Sequence, residues 1–213
     1  MTAKGGPADA AARGGGLPRV AGRASELSMA VAMTAGRGRL ARAVADIAGL
    51  GPADWVIDIG CGPGTAVREA SRRAAGAIGV DPSPVMLRLA RWMTAIRRTG
   101  EVSWRQGQAE KLPVPDGRAS VAWAISSLHH WSDRPAGLGE ARRALAPAGR
   151  LIVAERLVRR PAARGRGAHG LSPGQAEELS RELTAAGFLD VRVATRRAGR
   201  RNLVIVQGAT APA

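Results

Sequence analysis

The stretch VIDIGCGPG, residues 56–64, ends an apolar run on a carboxylate, Asp58, and follows it with glycines at 60, 62 and 64. A short continuous apolar run is the pattern of a strand covered on both faces. Glycines beyond its end let the backbone turn sharply and let a ligand approach main-chain atoms that a Cβ would shield. A dinucleotide fingerprint would place its third glycine at 65, where the chain has Thr65. Gly64 comes one position early, and a carboxylate two residues before Gly60 is unfavourable beside a pyrophosphate. Asp58 suits a ligand with an ammonium group, which favours a nucleoside bearing an amino acid; the competing role for Asp58 is to cap a turn.

Two further places carry chemistry. Asp81 ends the apolar run AIGVD, where an Asx turn at the next helix competes with ligand binding. His129 and His130 follow the run AISS, and an imidazole can take a proton near neutral pH because its reference pKa is about 6.5. Paired histidines there can also simply pack or bond the backbone, and Trp131 can line a pocket or cover the sheet edge. Cys61 is the single cysteine, so it forms no internal disulfide and joins no metal cluster; it reads as a small residue under the glycine loop.

These groups need a scaffold, and strand and helix patterns alternate from Gly51 onward. WVIDIG is followed by a helix over about 65–75, AIGVD by a helix that Ser83 and Pro84 start, and EVSWRQG ends near Gly107. A loop with Pro113, Pro115 and Gly117 leads to VAWAISSL, then to a helix over 134–146 and the strand RLIVAE. Such repetition predicts an α/β, doubly wound, Rossmann-like sheet. Ser172, Pro173 and Gln175 form a capping-box start to a helix that stops at Gly187. LDVRVAT and NLVIVQG then lie too close for a crossover, so they form a hairpin and the last strand runs antiparallel.

The length of 213 residues and 45% hydrophobic content fit one domain. Residues 1–24 read as a disordered basic arm, 25–50 as two helices broken near Gly36 to Gly38, 51–208 as the main domain and 209–213 as a tail. The start holds no apolar leader segment, and nowhere do eighteen apolar residues run together, so a cytoplasmic location without a transmembrane segment is expected. The net charge is +15, and all 32 basic residues except Lys4 and Lys111 are Arg. Charge of this kind favours phosphates and anionic partners. The arginines are spread along the chain, and 5 Trp, 1 Phe and no Tyr offer little base stacking, which makes nucleic acid a secondary candidate.

VIDIGCGPG, Asp81 in GVDPSPVML, GQAEKLPVPDG at 107–117 and LGEARRALAPAGRLIVAE at 138–155 occur in the order of the motifs of class I S-adenosylmethionine-dependent methyltransferases. The chain resembles the type 11 small-molecule group of that family from about Leu40 to Gly208. The resemblance implies seven strands in the order 3-2-1-4-5-7-6 and S-adenosylmethionine as cofactor. It implies that Asp58 holds the methionine ammonium, directly or through water, while Gly60, Cys61, Gly62 and Gly64 accommodate methionine and ribose. Asp81 would take the ribose hydroxyls, Pro82 and Met86 would lie beside the adenosine, and Gln108, Ala109 and Glu110 would surround adenine. Ser126 would complete the donor contacts, with His129 and His130 near the transferred methyl group.

Departures from the family pattern are Gln108 for a frequent Asp, Ala119-Ser120 for Phe-Asp, and Ala148-Gly149 for Gly-Gly. SSLHHW lacks the Pro-Pro-aromatic motif of amino-methylating DNA enzymes, Cys61 is in the donor loop, and Asp133 alone makes no catechol-type metal site. A small organic acceptor remains. The alternatives are a methyltransferase for RNA or another polyanion clamped by Arg156, Arg159, Arg160, Arg164 and Arg166, and a nicotinamide oxidoreductase or non-catalytic nucleotide-binding module. The short basic loop 156–171 leaves the acceptor pocket open, so residues 17–38 or a second subunit of a homodimer are expected to cover it. Removing residues 1–38 is expected to lower turnover more than it lowers thermal stability, and an unchanged turnover number would count against that cover.

Overall fold

The computed structural model describes residues 37–95, 101–159, 169–199 and 201–213. Its elements are α1 (Arg37–Ile47), β1 (Trp55–Ile59), α2 (Thr65–Ala70), β2 (Gly76–Asp81), α3 (Pro84–Ala95) and β3 (Glu101–Gln106). After these come β4 (Ala119–Ile125), α4 (Arg134–Ala144), β5 (Leu145–Arg156), α5 (Pro173–Ala185), β6 (Leu189–Ala198) and β7 (Arg201–Ala209). The strands form one sheet in the order β3-β2-β1-β4-β5-β7-β6. β1 pairs in parallel with β2 and β4, β2 with β3, and β4 with β5, whereas β7 runs antiparallel to β5 and β6. This is the α/β order and polarity expected from the sequence.

Alternation along the strands divides the core into two layers. Ile57, Ile59, Ile78, Val80, Leu151 and Val153 face the side covered by Leu138 and Ala141 of α4 and Leu179 and Leu183 of α5. Val56, Trp123, Ile152 and Ala154 face the other side, under Leu40 and Val44 of α1 and Val67 of α2. Both faces of the central strands are therefore dry, which is why their sequences read as continuous apolar runs.

Local chemistry sets the helix ends. The Asp133 carboxylate accepts from Ala136 N–H at 3.0 Å at the start of α4. Ser172 and Gln175 cap α5 reciprocally at 3.3 and 3.0 Å. Helix α2 stops at Ala70, short of the 75 expected, because Ser71 Oγ donates to the Arg68 carbonyl at 3.1 Å and Ala75 N–H is drawn to the Asp54 carbonyl at 2.9 Å. Helix α1 begins at Arg37, within the stretch where the sequence suggested a break, and Gly38 has open space where a Cβ would stand; Gly36 and the helix expected before it lie outside the described residues. The first N-terminal helix, the arm over 1–24 and residues 160–168 of the basic loop lie outside the described residues. Beyond β7 the chain stays tied down, with Thr210 N–H donating to the Gly149 carbonyl and Ala148 N–H to the Ala211 carbonyl. Among the described residues no helix is long and apolar enough to cross a membrane.

Leu151 sits at the centre of the sheet with no exposure. Leu151→Ala is expected to cost about 2–5 kcal/mol of stability, measured as a lowered urea midpoint; a shift under about 1 kcal/mol would mean that the site collapses around the missing carbons.

Candidate functional site

In an open α/β sheet the ligand crevice lies beyond the carboxyl ends of the strands where their order reverses, here between β1 and β4. A cleft of about 470 Å³ occupies that place, within the range of roughly 300–1,000 Å³ for small-molecule sites. Its wall brings together Gly60, Gly62, Asp81, Pro82 and Met86 with Gln108, Ala109, Glu110, Ser126 and His130. Cys61, Gly64, Asp58 and His129 are not on its wall.

The turn after β1 is shaped by close approach. Gly60 has φ +78°, and a Cβ there would stand 2.5 Å from the Ser127 Cβ. Ser127 Oγ donates to the Ile59 carbonyl at 2.6 Å, locking the end of β4 against the glycine turn. Gly62, at φ +51°, turns its N–H onto Asp81 Oδ2 at 2.8 Å, and Ser83 N–H donates to Asp81 Oδ1 at 2.9 Å. The Asx turn expected as a competitor therefore exists. It does not exhaust Asp81, because a carboxylate offers about four acceptor positions and the two bonds use one on each oxygen. Gly64 begins α2 in the left-handed region, and a Cβ there would run into the Trp104 ring. Its role is packing under the turn. Cys61 is buried below the same loop, and burial, then the charges of Asp58 and Asp81, push its thiol far up, so it is inert.

Asp58 projects from the face of β1 opposite Ile57 and Ile59 and is 2% exposed. It borders a second cavity of about 20 Å³, shared with Arg37, Leu40, Cys61 and Thr65, which touches the main cleft through Arg37 and Gly60. That volume holds about one water. Burial, then the neighbouring Asp81, raises the Asp58 pKa to about 7, while the Trp123 indole and Arg37 oppose the rise. The Trp123 N–H is buried and makes no hydrogen bond of good geometry among the described residues, so its pull on Asp58 is that of a nearby dipole.

The wall after β3 is fastened rather than free. Glu110 Oε1 accepts from Ser132 N–H at 2.7 Å, Ser132 Oγ at 2.9 Å and Asp133 N–H at 3.1 Å. Partial burial pushes its pKa up, but these bonds outweigh burial and hold it below the usual range. Glu110 thus clasps the two sides of the cleft. Behind it, Glu140 accepts from Leu112 N–H at 2.8 Å and Arg143 donates to the Leu112 and Val114 carbonyls at 3.1 and 3.0 Å.

After β4, Ser126 takes φ +53°, and a 3-10 turn over Leu128–His130 follows. Strain of this kind concentrates at functional sites. His130 lines the cleft together with Trp131. Burial, then the charges of His129 and His169, lower the His130 pKa. His129 turns away to the buried Glu155, with Nδ1 at 3.2 Å from Oε1. Glu155, His169 and Arg37 are absent from the sequence-based site. Glu155 had a readable signal, since IVAE ends an apolar strand on a carboxylate as VID and GVD do. His169 had none, being 39 residues beyond His130. No group of His, Cys, Asp and Glu among the described residues is arranged to hold a metal.

The sheet order, the glycine turn and the carboxylates at the carboxyl edge agree with the class I methyltransferase arrangement that the sequence resembles. Residues 57–153 match the family model described as a methyltransferase domain, Methyltransf_11. Demethylmenaquinone methyltransferase of Tropheryma whipplei is 33% identical over 114 residues, 54% of this chain and 46% of that protein. The 27-O-demethylrifamycin SV methyltransferase of Amycolatopsis mediterranei is 33% identical over 122 residues, 56% of this chain and 45% of the relative. The match thus spans under half the length of these relatives. A SAM-dependent methyltransferase structure from Aquifex aeolicus superposes with a TM-score of 0.65 at 19% identity, covering 79% of this chain and 88% of that one. Over residues 57–153, somewhat under half of the chain, the similarity is to the type 11 group of class I S-adenosylmethionine-dependent methyltransferases. S-adenosylmethionine is the cofactor of that group, and the cleft fits it: the left-handed Gly60 and Gly62 put no side chain on its wall, and Asp81 keeps one acceptor position on each oxygen.

A carboxyl raised from 3.8 to about 7 contributes stability that is present below pH 4 and lost as pH rises through 7. Asp58→Asn should therefore gain on the wild type as pH rises from about 5 to 8, read from paired urea midpoints. A difference that stays constant across that range would show that Asp58 titrates as an ordinary carboxylate.

Proposed function

We propose that the protein transfers a methyl group from S-adenosylmethionine to a small organic acceptor by in-line displacement. The observation that carries this reading is the placement of Asp81. It is 7% exposed at the head of a 470 Å³ cleft, with backbone amides on both oxygens and acceptor capacity left over for a pair of ribose hydroxyls. Pro82 and Met86 would flank the adenosine, and Gln108 and Ala109 would meet adenine, with Glu110 holding that wall in place. Asp58 would act on the methionine ammonium from its side cavity, through the one water for which there is room. Gly64 and Cys61 would support the turn from beneath rather than touch the ligand.

The bound cofactor supplies a methyl carbon already activated by its sulfonium. What the chain contributes is alignment, which can supply roughly 7–11 kcal/mol when reactants are held in attack geometry. Ser126 and His130 border the space that an acceptor would enter, and His130 would take a proton from it, with His129 behind it on Glu155. The relatives named for demethylmenaquinone and demethylrifamycin act on small organic molecules, which supports that acceptor class here. The same fold also carries a [4+2]-cyclase, SpnF, with a TM-score of 0.68 at 24% identity, so fold alone does not decide the reaction.

Calorimetry with S-adenosylhomocysteine and with NAD is expected to show uptake of the former only. Asp81→Asn should weaken that uptake about 10- to 100-fold, the value of losing charge-assisted hydrogen bonds. Cell extract incubated with the protein and a deuterated methyl donor should yield a small product shifted by the label. Tight S-adenosylhomocysteine binding without any labelled product would indicate a binder or a cyclase-like activity instead.

A further inference from the structure

β6 closes the sheet: among the described residues its neighbour in the strand order is β7 alone. From Arg192 to Ala198 it pairs residue by residue with β7, so along that run about half of its backbone N–H and C=O groups point away from the sheet. At about 3.3 Å per residue the run makes an open edge of roughly 23 Å. The edge lies at the far end of the strand order from β1 and so is separate from the cleft between β1 and β4.

The side chains along this edge carry one sign of charge. Residues opposite each other in an antiparallel pair share a face of the sheet. Arg192, Ala194 and Arg196 stand opposite Gln207, Ile205 and Leu203, and Ile205 and Leu203 belong to the layer under α1. Arg192 and Arg196 are exposed, with the small Ala194 between them. Arg196 and Arg197 each give one bond to a nearby carbonyl, Thr195 and Gly199, at 3.2 Å, out of the five donors that a guanidinium has. From Val191 to Ala213 the chain holds five arginines and neither Asp nor Glu. At the start of the strand Leu189 is 49% exposed, and Asp190 takes φ +50° where the register with β7 shifts. Such a bulge ends the regular ladder and re-aims its neighbours. A groove of about 160 Å³, bordered by Ile47 of α1, Asp190, Arg192 and Gln207, runs beside the strand.

Charge on an edge strand guards against pairing with other chains. A guard works with either sign, whereas an edge of one sign also selects what is allowed to pair with it. The rest of this chain does not qualify. Residues 1–36 carry Lys4, Arg13, Arg19 and Arg23 against Asp9 and Glu26, and residues 160–168 carry Arg160, Arg164 and Arg166 with no acid. A second copy pairing edge to edge would set arginine against arginine, and like charges in that position are destabilising.

We propose that β6 is a docking edge for an acidic extended segment of another protein, which adds a strand to the sheet and sets carboxylates against Arg192 and Arg196. In strand addition the main-chain hydrogen bonds supply affinity and alternate side chains supply specificity. A polypeptide answers all three features of the edge: its N–H and C=O groups continue the ladder, its carboxylates meet the arginines, and an apolar side chain covers Leu189. A nucleic acid or an anionic lipid surface answers only the charge.

The test uses the full chain labelled with 15N and a synthetic peptide of about ten residues that alternates glutamate and threonine, long enough to span the edge. At low ionic strength, where exposed charges are least screened, nuclear magnetic resonance should show the peptide shifting the backbone amides of residues 191–198. The same peptide with glutamine for glutamate should bind about tenfold more weakly, within what two exposed ion pairs supply. With proline for threonine it keeps its charge but loses the ladder donors, and it should not bind. The double variant Arg192→Glu, Arg196→Glu should reject the glutamate peptide and accept one that alternates lysine and threonine, an exchange that also shows the variant to be folded. Equal binding of the proline peptide, or amide shifts that lie away from β6, would overturn the proposal. So would stronger shifts of the same amides by a uridine oligonucleotide or by phosphatidylglycerol vesicles at equal charge, in favour of a nucleic acid or a membrane. Sedimentation showing that the wild type pairs with itself while the double variant does not would overturn it in favour of a second copy.

Discussion

The glycine-turn end of the cleft depends on the bond from the Gly62 N–H to the Asp81 carboxylate. It joins the turn after β1 to the end of β2, two points 19 residues apart in the chain. Without it the turn would have to find another partner for an amide that is largely shut off from water, and Asp81 would lose half of what stabilises its charge. The left-handed glycines at 60, 62 and 64 exist to make that contact reachable: one admits Ser127, one aims its amide at Asp81, and one clears the Trp104 ring. A shape imposed by packing thereby becomes a surface with exposed main chain and an oriented carboxylate.

The other end of the cleft is built by the same device on other strands. Ser127 ties β4 to β1 through the Ile59 carbonyl, and Glu155 ties the turn after β4 to β5 through Leu128. Glu110 closes the far side by holding Ser132 and Asp133. Three polar side chains therefore fix three loops around one space, each at a point where a strand ends and its backbone groups lose their ladder partners. Preorganisation of this kind is what an alignment-based reaction requires of a protein.

The strong positive charge is partly structural. Arg143 ties Glu140 to the Leu112 and Val114 carbonyls, and Arg150 joins the Ala48 carbonyl to Asp54 at 2.7 Å. Arg72 and Arg73 gather on the mostly buried Glu69. Arg68, 3% exposed, donates to the Pro63 carbonyl at 2.7 Å under the glycine turn. Guanidinium groups suit such work because their fixed fork of donors can satisfy several carbonyls and carboxylates at once. A net charge of +15 is thus in part a count of loop fasteners.

Local pattern alone determined the strand and helix alternation, the hairpin at the end, the Ser172–Gln175 cap and the glycine turn, because each is set by residues within a few positions of one another. It also marked Asp81, which ends its strand and so opens on the crevice. Only the tertiary structure decided that Asp58 and Cys61 stand in a side cavity, since α1 and not the strand determines what covers that face of β1. It turned Glu110 from an expected adenine contact into a clasp, and it made Glu155 the partner of His129. The meeting of His169 with His129 and His130 has no trace in local sequence: parallel strands bring distant chain segments to one edge of a sheet, and spacing along the chain carries no record of that convergence.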